Sequence, residues 1–168
     1  NPDCPFIVKH HQLNRTMNET FMTLQHKGMV WLAINSGAPG KQGAGLERNK
    51  KAHTDYEMLF PILLDESGTV GRAYGAKTTP HMFVIDPAGK IVYNGAIDDK
   101  RTARESDRKS ANNYVRAALT EATGASAAAL KSYEENVPMG GCSMDTAPQD
   151  FARAQAEAVL RAEHEVAL

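Results

Sequence analysis

The run TTPHMFVIDPAGKIVYNGAID (78–98) constrains the fold more than any other stretch of the chain. It holds two strand-forming segments, about 81–86 and 91–95, separated by DPAGK, a short Pro- and Gly-containing turn that reverses the chain tightly. An antiparallel hairpin is predicted there. Upstream, MVWLAIN (29–35) and FPILLD (60–65) are short apolar runs rich in strand formers, as buried strands are. Between them lie the Gly-rich loop SGAPGKQGAG and a polar helical stretch from Glu47 to Met58. TVGRAYG reads as one short helix ending at Gly75. Strands alternating with helices predict an α/β sheet with parallel strands, to which the hairpin adds an antiparallel part.

The opening NPDCPFIVKHH is the second informative stretch. Leu13, Met17, Phe21 and Leu24 recur at spacings of four, four and three, which predicts one helical face. Pro5 suits the first helical turn, where its missing N–H costs nothing, and Lys27 with Gly28 supplies a stop. Cys4 then sits at the N-cap, where unpaired backbone N–H groups and the helix dipole favour a thiolate, so Cys4 is a candidate nucleophile. Lys9, five residues on, points elsewhere around the helix and reads as a solvated surface charge.

Farther on, Ser110 is placed to cap a helix running to about Ala122, with Tyr114, Val115, Ala118 and Leu119 on its apolar face. The composition then loosens (123–150), and FARAQAEAVLRAEHEVAL (151–168) is alanine-rich and helix-forming. The expected organisation is one domain over 1–122 and a tail and helix over 123–168, which packs on that domain or pairs with a second copy to make a homodimer. A chain of 168 residues can bury such a core without staples.

A net charge of −1 with both signs interspersed gives no electrostatic footprint for nucleic acid. No apolar run reaches the roughly 18 residues of a membrane span. Two cysteines, Cys4 and Cys142, cannot make a disulfide scaffold for this length, which leaves redox or nucleophilic chemistry or two unrelated thiols. Among the six histidines, His10 and His11 are adjacent and point to different sides of a helix, while His26, His53 and His164 fall on polar surfaces. His81 follows Pro80 and is the histidine placed to face Cys4.

Taken together, GAKTTPHMFVIDPAGKIVYNGAIDD, NPDCPFIVKHH and INSGAPGKQG resemble the redoxin (AhpC/TSA and TlpA-like) branch of the thioredoxin-like fold, over about residues 1–122. The resemblance implies a three-layer sandwich: a mixed central sheet flanked by helices. It implies that Cys4 is the redox-active cysteine and Pro80 a cis-proline, with the Thr79 backbone facing the thiol. It further implies a thiol oxidoreductase, peroxiredoxin-like or disulfide-reducing, with no organic cofactor. Its substrate would be a small peroxide or a protein disulfide, and its reductant an external thiol or a thioredoxin-type protein. Related proteins are bacterial, cytoplasmic or exported.

The chain departs from that pattern at three places. Ile7 stands where thioredoxins carry the second cysteine of Cys-x-x-Cys, so Cys4 has no partner on its own helix. Asn1 stands where peroxiredoxins place a threonine or serine to bond the thiolate and peroxide, and its amide is expected to donate there in place of the hydroxyl, which keeps Asn1 among the candidate site residues. Only three residues precede Cys4 where the fold runs a central strand, so an N-terminal strand is expected upstream. Cys142, in the glycine-flanked VPMGGCSM, is similar to a Gly/Ser-Cys-Ser segment of related proteins and is expected to fold back and resolve oxidised Cys4 as a disulfide. Two rival readings use the same residues: a copper-handling protein with Cys4, His81 and Cys142 as soft ligands, or a binding module without redox turnover.

Overall fold

The computed structural model describes residues 1–24, 29–124 and 142–143. The expected stop at Lys27 and Gly28, and the tail and helix at 125–141 and 144–168, lie outside the described residues, as do His26 and His164. Helix α1 is Pro5–Val8, with Pro5 in its first turn and Cys4 as an extended N-cap (φ −69°, ψ 130°). The backbone then widens into a π-turn over Lys9–Leu13, in which the Asn14 N–H reaches the Lys9 carbonyl at 2.8 Å. Arg15, at φ 53°, breaks the run, and α2 restarts over Thr16–Leu24.

The single continuous helix read from apolar spacing is therefore corrected to two helices joined by a π-turn. The wider turn shifts the register, and its consequences are large. Leu13, expected on the apolar face, is 41% exposed, whereas Met17 is buried and Phe21 packs on the core. Lys9, read as a surface charge, is 0% exposed, and His10 and His11 are buried beside it. A buried lysine must be paired. Its Nζ donates to the Thr102 carbonyl at 3.0 Å and lies 3.4 Å from an Asp98 carboxylate oxygen. The same oxygen is 3.9 Å from His10 Nε2.

Strand β1 (Ala33–Asn35) pairs in parallel with β2 (Ile62–Leu64), Ala33 opposite Ile62. Both are shorter than their apolar runs. Between them α3 (Leu46–Asp55) makes the crossover, and α4 (Thr69–Ala73) follows β2. Strand β3 is Thr78–Thr79. The expected hairpin is β4 (Met82–Ile85) against β5 (Ile91–Gly95), with Met82 opposite Gly95. Its turn closes because the Asp86 carboxylate accepts the N–H groups of Ala88 and Lys90, both at 2.9 Å, and Gly89 takes φ 81°. Helix α5 runs Tyr114–Gly124 and is capped by Asn113, whose Oδ1 accepts the Arg116 N–H at 2.9 Å. Ser110, expected to cap it, belongs instead to a 3₁₀ turn over Glu105–Ser110. The last described strand, β6 (Cys142–Ser143), pairs antiparallel with β3.

Parallel and antiparallel pairs thus coexist, as a mixed α/β fold requires. Two cores hold it. One, built of Met17, Ala52, Tyr56, Met58, Phe60 and Ile97, binds the helices that follow Cys4 to α3. The other seats Val115, Ala118 and Leu119 of α5 on Val84 and Tyr93 of the hairpin. Trp31 and Met82 pack on both.

Candidate functional site

Asn1–Cys4 form a tight turn, closed by the Cys4 N–H on the Asn1 carbonyl at 3.2 Å and by the Asp3 N–H on Asn1 Oδ1 at 2.9 Å. The turn rests on α3 and the loop before it. Tyr56 donates its hydroxyl to the Pro2 carbonyl at 2.8 Å, and Arg48 Nε donates to an Asp3 carboxylate oxygen at 2.8 Å, with Nη2 on the same oxygen. Gly43 (φ 72°) packs so closely beneath that a Cβ there would lie 2.9 Å from Pro2 Cδ and overlap the Asn1 amide. Its carbonyl accepts the amides of Asn35 and Asn49 at 2.8 and 3.1 Å, which fixes the loop. Gly43→Ala is expected to cost about 1–2 kcal/mol from backbone conformation alone. It should also displace the Cys4 turn, which a thermal melt and the rate of Cys4 modification would both register.

Cys4 is 0% exposed, and its Sγ–H donates to the Thr79 carbonyl at 3.2 Å. The Thr79–Pro80 peptide is cis. Thr79 is also the Cα partner of Cys142 in the β3–β6 ladder, with Thr78 opposite Ser143. The structure therefore brings four of the sequence-derived residues, Cys4, Thr79, Pro80 and Cys142, to one place. The Cys142 side chain lies outside what is described, so its placement here is that of its backbone. Asn1, expected to face the thiol or its oxidant through its amide, uses its Oδ1 to accept the Asp3 N–H and shape the turn.

His81 is built into the hairpin. Its Nδ1 accepts the Lys77 N–H at 3.0 Å, its Nε2 is 2.5 Å from Asn94 Oδ1, and its ring stacks on Phe83 at 4.4 Å. With Nδ1 accepting, Nε2 carries the proton, so the ring is neutral and both nitrogens are engaged. Burial lowers its pKa from 6.5, against the hydrogen bond it donates to Asn94. A soft-metal set of Cys4, His81 and Cys142 would first have to break those bonds. Among the described residues, no group of three or more His, Cys, Asp or Glu is placed to hold a metal ion.

Sequence reasoning missed the buried polar layer behind Cys4: Lys9, His10, His11 and Asp98. Burial first, then Lys9, depresses the His10 pKa to about 3. Burial first, then His10, depresses that of His11 to about 4. His11 stacks on Tyr56, the residue that holds Pro2, with ring centroids 5.8 Å apart. The signal that could have found this layer is the polar run Lys9-His10-His11 directly after the apolar Phe6-Ile7-Val8. Arg48 was missed as well, because nothing in its surroundings in the sequence points to Asp3.

Comparison with known proteins bears on the family and the fold. A family model described as the AhpC/TSA family matches residues 11–94, half of the chain. A thiol-disulfide oxidoreductase, ResA, from Geobacillus thermodenitrificans is 36% identical over 75 residues, which are 45% of this chain and 40% of that protein. The matched region thus spans about two fifths of that relative's length. Among solved structures, a hypothetical protein from Sinorhizobium meliloti superposes with a TM-score of 0.63 at 26% identity, over 89% of this chain and 77% of the other. An uncharacterized conserved protein from Geobacillus kaustophilus superposes with a TM-score of 0.58 at 28% identity, over 88% and 74%. With its mixed α/β architecture, the chain belongs to the AhpC/TSA family of redoxins and has the thioredoxin-like fold.

Proposed function

We propose that the protein is a thiol oxidoreductase in which Cys4 is the nucleophile and Cys142 the resolving thiol. One observation carries this reading: the carbonyl that accepts the Cys4 thiol belongs to the residue paired with Cys142. Antiparallel partners have Cα atoms only about 4.5–5.5 Å apart, so both cysteines are neighbours of Thr79. Family membership supports the redox class, and the ResA match supports disulfide exchange as the reaction.

In that reaction Cys4 loses its proton and leaves the Thr79 carbonyl. The thiolate attacks one sulfur of a substrate disulfide, forming a mixed disulfide and releasing the other sulfur as a thiolate, which takes up a proton. The Cys142 thiolate then attacks Cys4 in the mixed disulfide, expels the second substrate thiol and leaves a Cys4–Cys142 disulfide. Substrate is reduced by two electrons and the two cysteines oxidised by two. An external dithiol restores them. A hydroperoxide enters the same cycle at Cys4: it is cleaved to an alcohol or water as Cys4 becomes a sulfenic acid, and condensation with Cys142 releases water.

Reduced protein mixed with a small disulfide such as oxidised glutathione, or separately with hydrogen peroxide, tests this. The parent is expected to consume one equivalent of one of these oxidants rapidly. Cys4→Ser should abolish the reaction, and Cys142→Ser should stop it at a mixed disulfide or sulfenic acid on Cys4. Consumption that survives Cys4→Ser would overturn the assignment, and the faster oxidant names the substrate class. If neither oxidant is consumed, the redox reading itself fails and a binding module is left.

A further inference from the structure

Asp3, the residue immediately before the proposed nucleophile, carries a carboxylate. A negative charge there opposes formation of a thiolate next to it. Arg48 meets that carboxylate with both Nε and Nη2, and its own pKa is raised, chiefly by the hydrogen bond to Asp3. The turn has other bonds besides this ion pair. The Cys4 N–H on the Asn1 carbonyl, the Asp3 N–H on Asn1 Oδ1 and the Tyr56 hydroxyl on the Pro2 carbonyl already hold it. What Arg48 adds is charge.

Each side chain of the pair is about one third exposed, 31% for Arg48 and 30% for Asp3. Solvent therefore screens both charges in part. Lys9 and Gln42 do not replace Arg48. Lys9 is committed to Asp98 and the Thr102 carbonyl, and Gln42, which reaches the Asp3 carbonyl at 3.4 Å, is neutral.

We propose that Arg48 is a positioning residue that acts on Cys4 through Asp3, cancelling the charge beside the thiol so that the thiolate can form. The proposal rests on Cys4 being the reacting group, and its test separates the two ideas. The full chain carrying Cys142→Ser is reduced and treated with iodoacetamide at neutral pH, and carbamidomethylation of Cys4 is followed by mass. Arg48→Gln is expected to slow the reaction by about tenfold, the lower end of the range for a charge partner because of the exposure. Asp3→Asn should react no more slowly than the parent, and the double variant Asp3→Asn/Arg48→Gln should return to within about threefold of it. Arg48→Lys, which keeps the charge, should recover most of the rate.

A merely structural role predicts the opposite pattern. Asp3→Asn would then slow the reaction as much as Arg48→Gln does, and the double variant would stay slow; either result overturns the proposal, as does an Arg48→Gln rate equal to the parent's. Should Arg48→Gln fail to fold, Asp3→Asn and Arg48→Lys decide alone. A parent whose Cys4 does not alkylate at all would instead sink Cys4 as the nucleophile.

Discussion

Acidification from pH 7.5 to 5 is expected to remove about 4 kcal/mol of folding stability, with no change in sequence. His10 and His11 have pKa values of about 3 and 4 in the folded protein, against 6.5 for an ordinary histidine. Both folded values are depressed, so the unfolded chain binds more protons than the native one throughout the interval from 6.5 down to 4. Their contribution is fully present above pH 6.5 and is lost as pH falls, by about 3 kcal/mol per pH unit once both histidines are protonated in the unfolded state.

The cause is geometric. The π-turn carries both rings into the interior, where the Nδ1 atoms have no hydrogen-bond partner among the described residues and a proton would add an unsolvated charge. Asp98 lies 3.9 Å from His10 Nε2 and would welcome that proton, but its carboxylate is already met by Lys9, which repels it. Urea titrations at the two pH values measure the loss. His11→Phe, which keeps the aromatic packing on Tyr56 and Phe60, should halve it. Equal stabilities at pH 7.5 and 5 would contradict the placement of both rings.

Removing the lysine beside them is expected to have an effect as large. Lys9→Ala should destabilise the protein by about 3–5 kcal/mol, the range for breaking a buried ion pair from one side. The Asp98 carboxylate would lose its cation, the Thr102 carbonyl a donor, and the core the lysine's methylenes. The bond from the Lys100 N–H to Asp98 Oδ1, at 3.0 Å, would remain but carries no full charge. Lys9→Met fills the space without the charge and should still cost most of this. Adding Asp98→Asn to Lys9→Met should recover a substantial part, because the orphaned charge is then gone. Urea unfolding of the three variants measures each step. A double variant no more stable than Lys9→Met would show that packing, rather than charge pairing, holds the loop to the helix.

Much of the fold was legible because local chemistry and tertiary demand agree. The hairpin follows from strand formers on both sides of a turn that an aspartate closes and a glycine permits. The apolar face of α5 follows from spacing alone, and Val115, Ala118 and Leu119 are all buried. What spacing could not show is the π-turn. Over Lys9–Leu13 it carries Lys9, His10 and His11 inward and Leu13 outward, while Met17 and Phe21 beyond it keep to the core as the spacing predicts. Strand lengths were overread at MVWLAIN and FPILLD because apolar runs mark burial, whereas a ladder needs a neighbour at each residue. At the site, Cys4 was legible from its N-cap position. The pairing of Thr79 with Cys142 joins residues far apart in sequence; the family resemblance pointed to Cys142 approaching Cys4, and the ladder itself came only with the structure.

The central claim is that Cys4 and Cys142 form one redox couple. Its most direct test is to oxidise the reduced full chain with one equivalent of oxidised glutathione or hydrogen peroxide at low protein concentration, digest it without reduction, and identify the linked peptides by mass. The account predicts an intramolecular Cys4–Cys142 disulfide as the main product, formed at a rate independent of protein concentration. Oxidation that leaves Cys142 as a thiol, or that links cysteines only between chains, would contradict it.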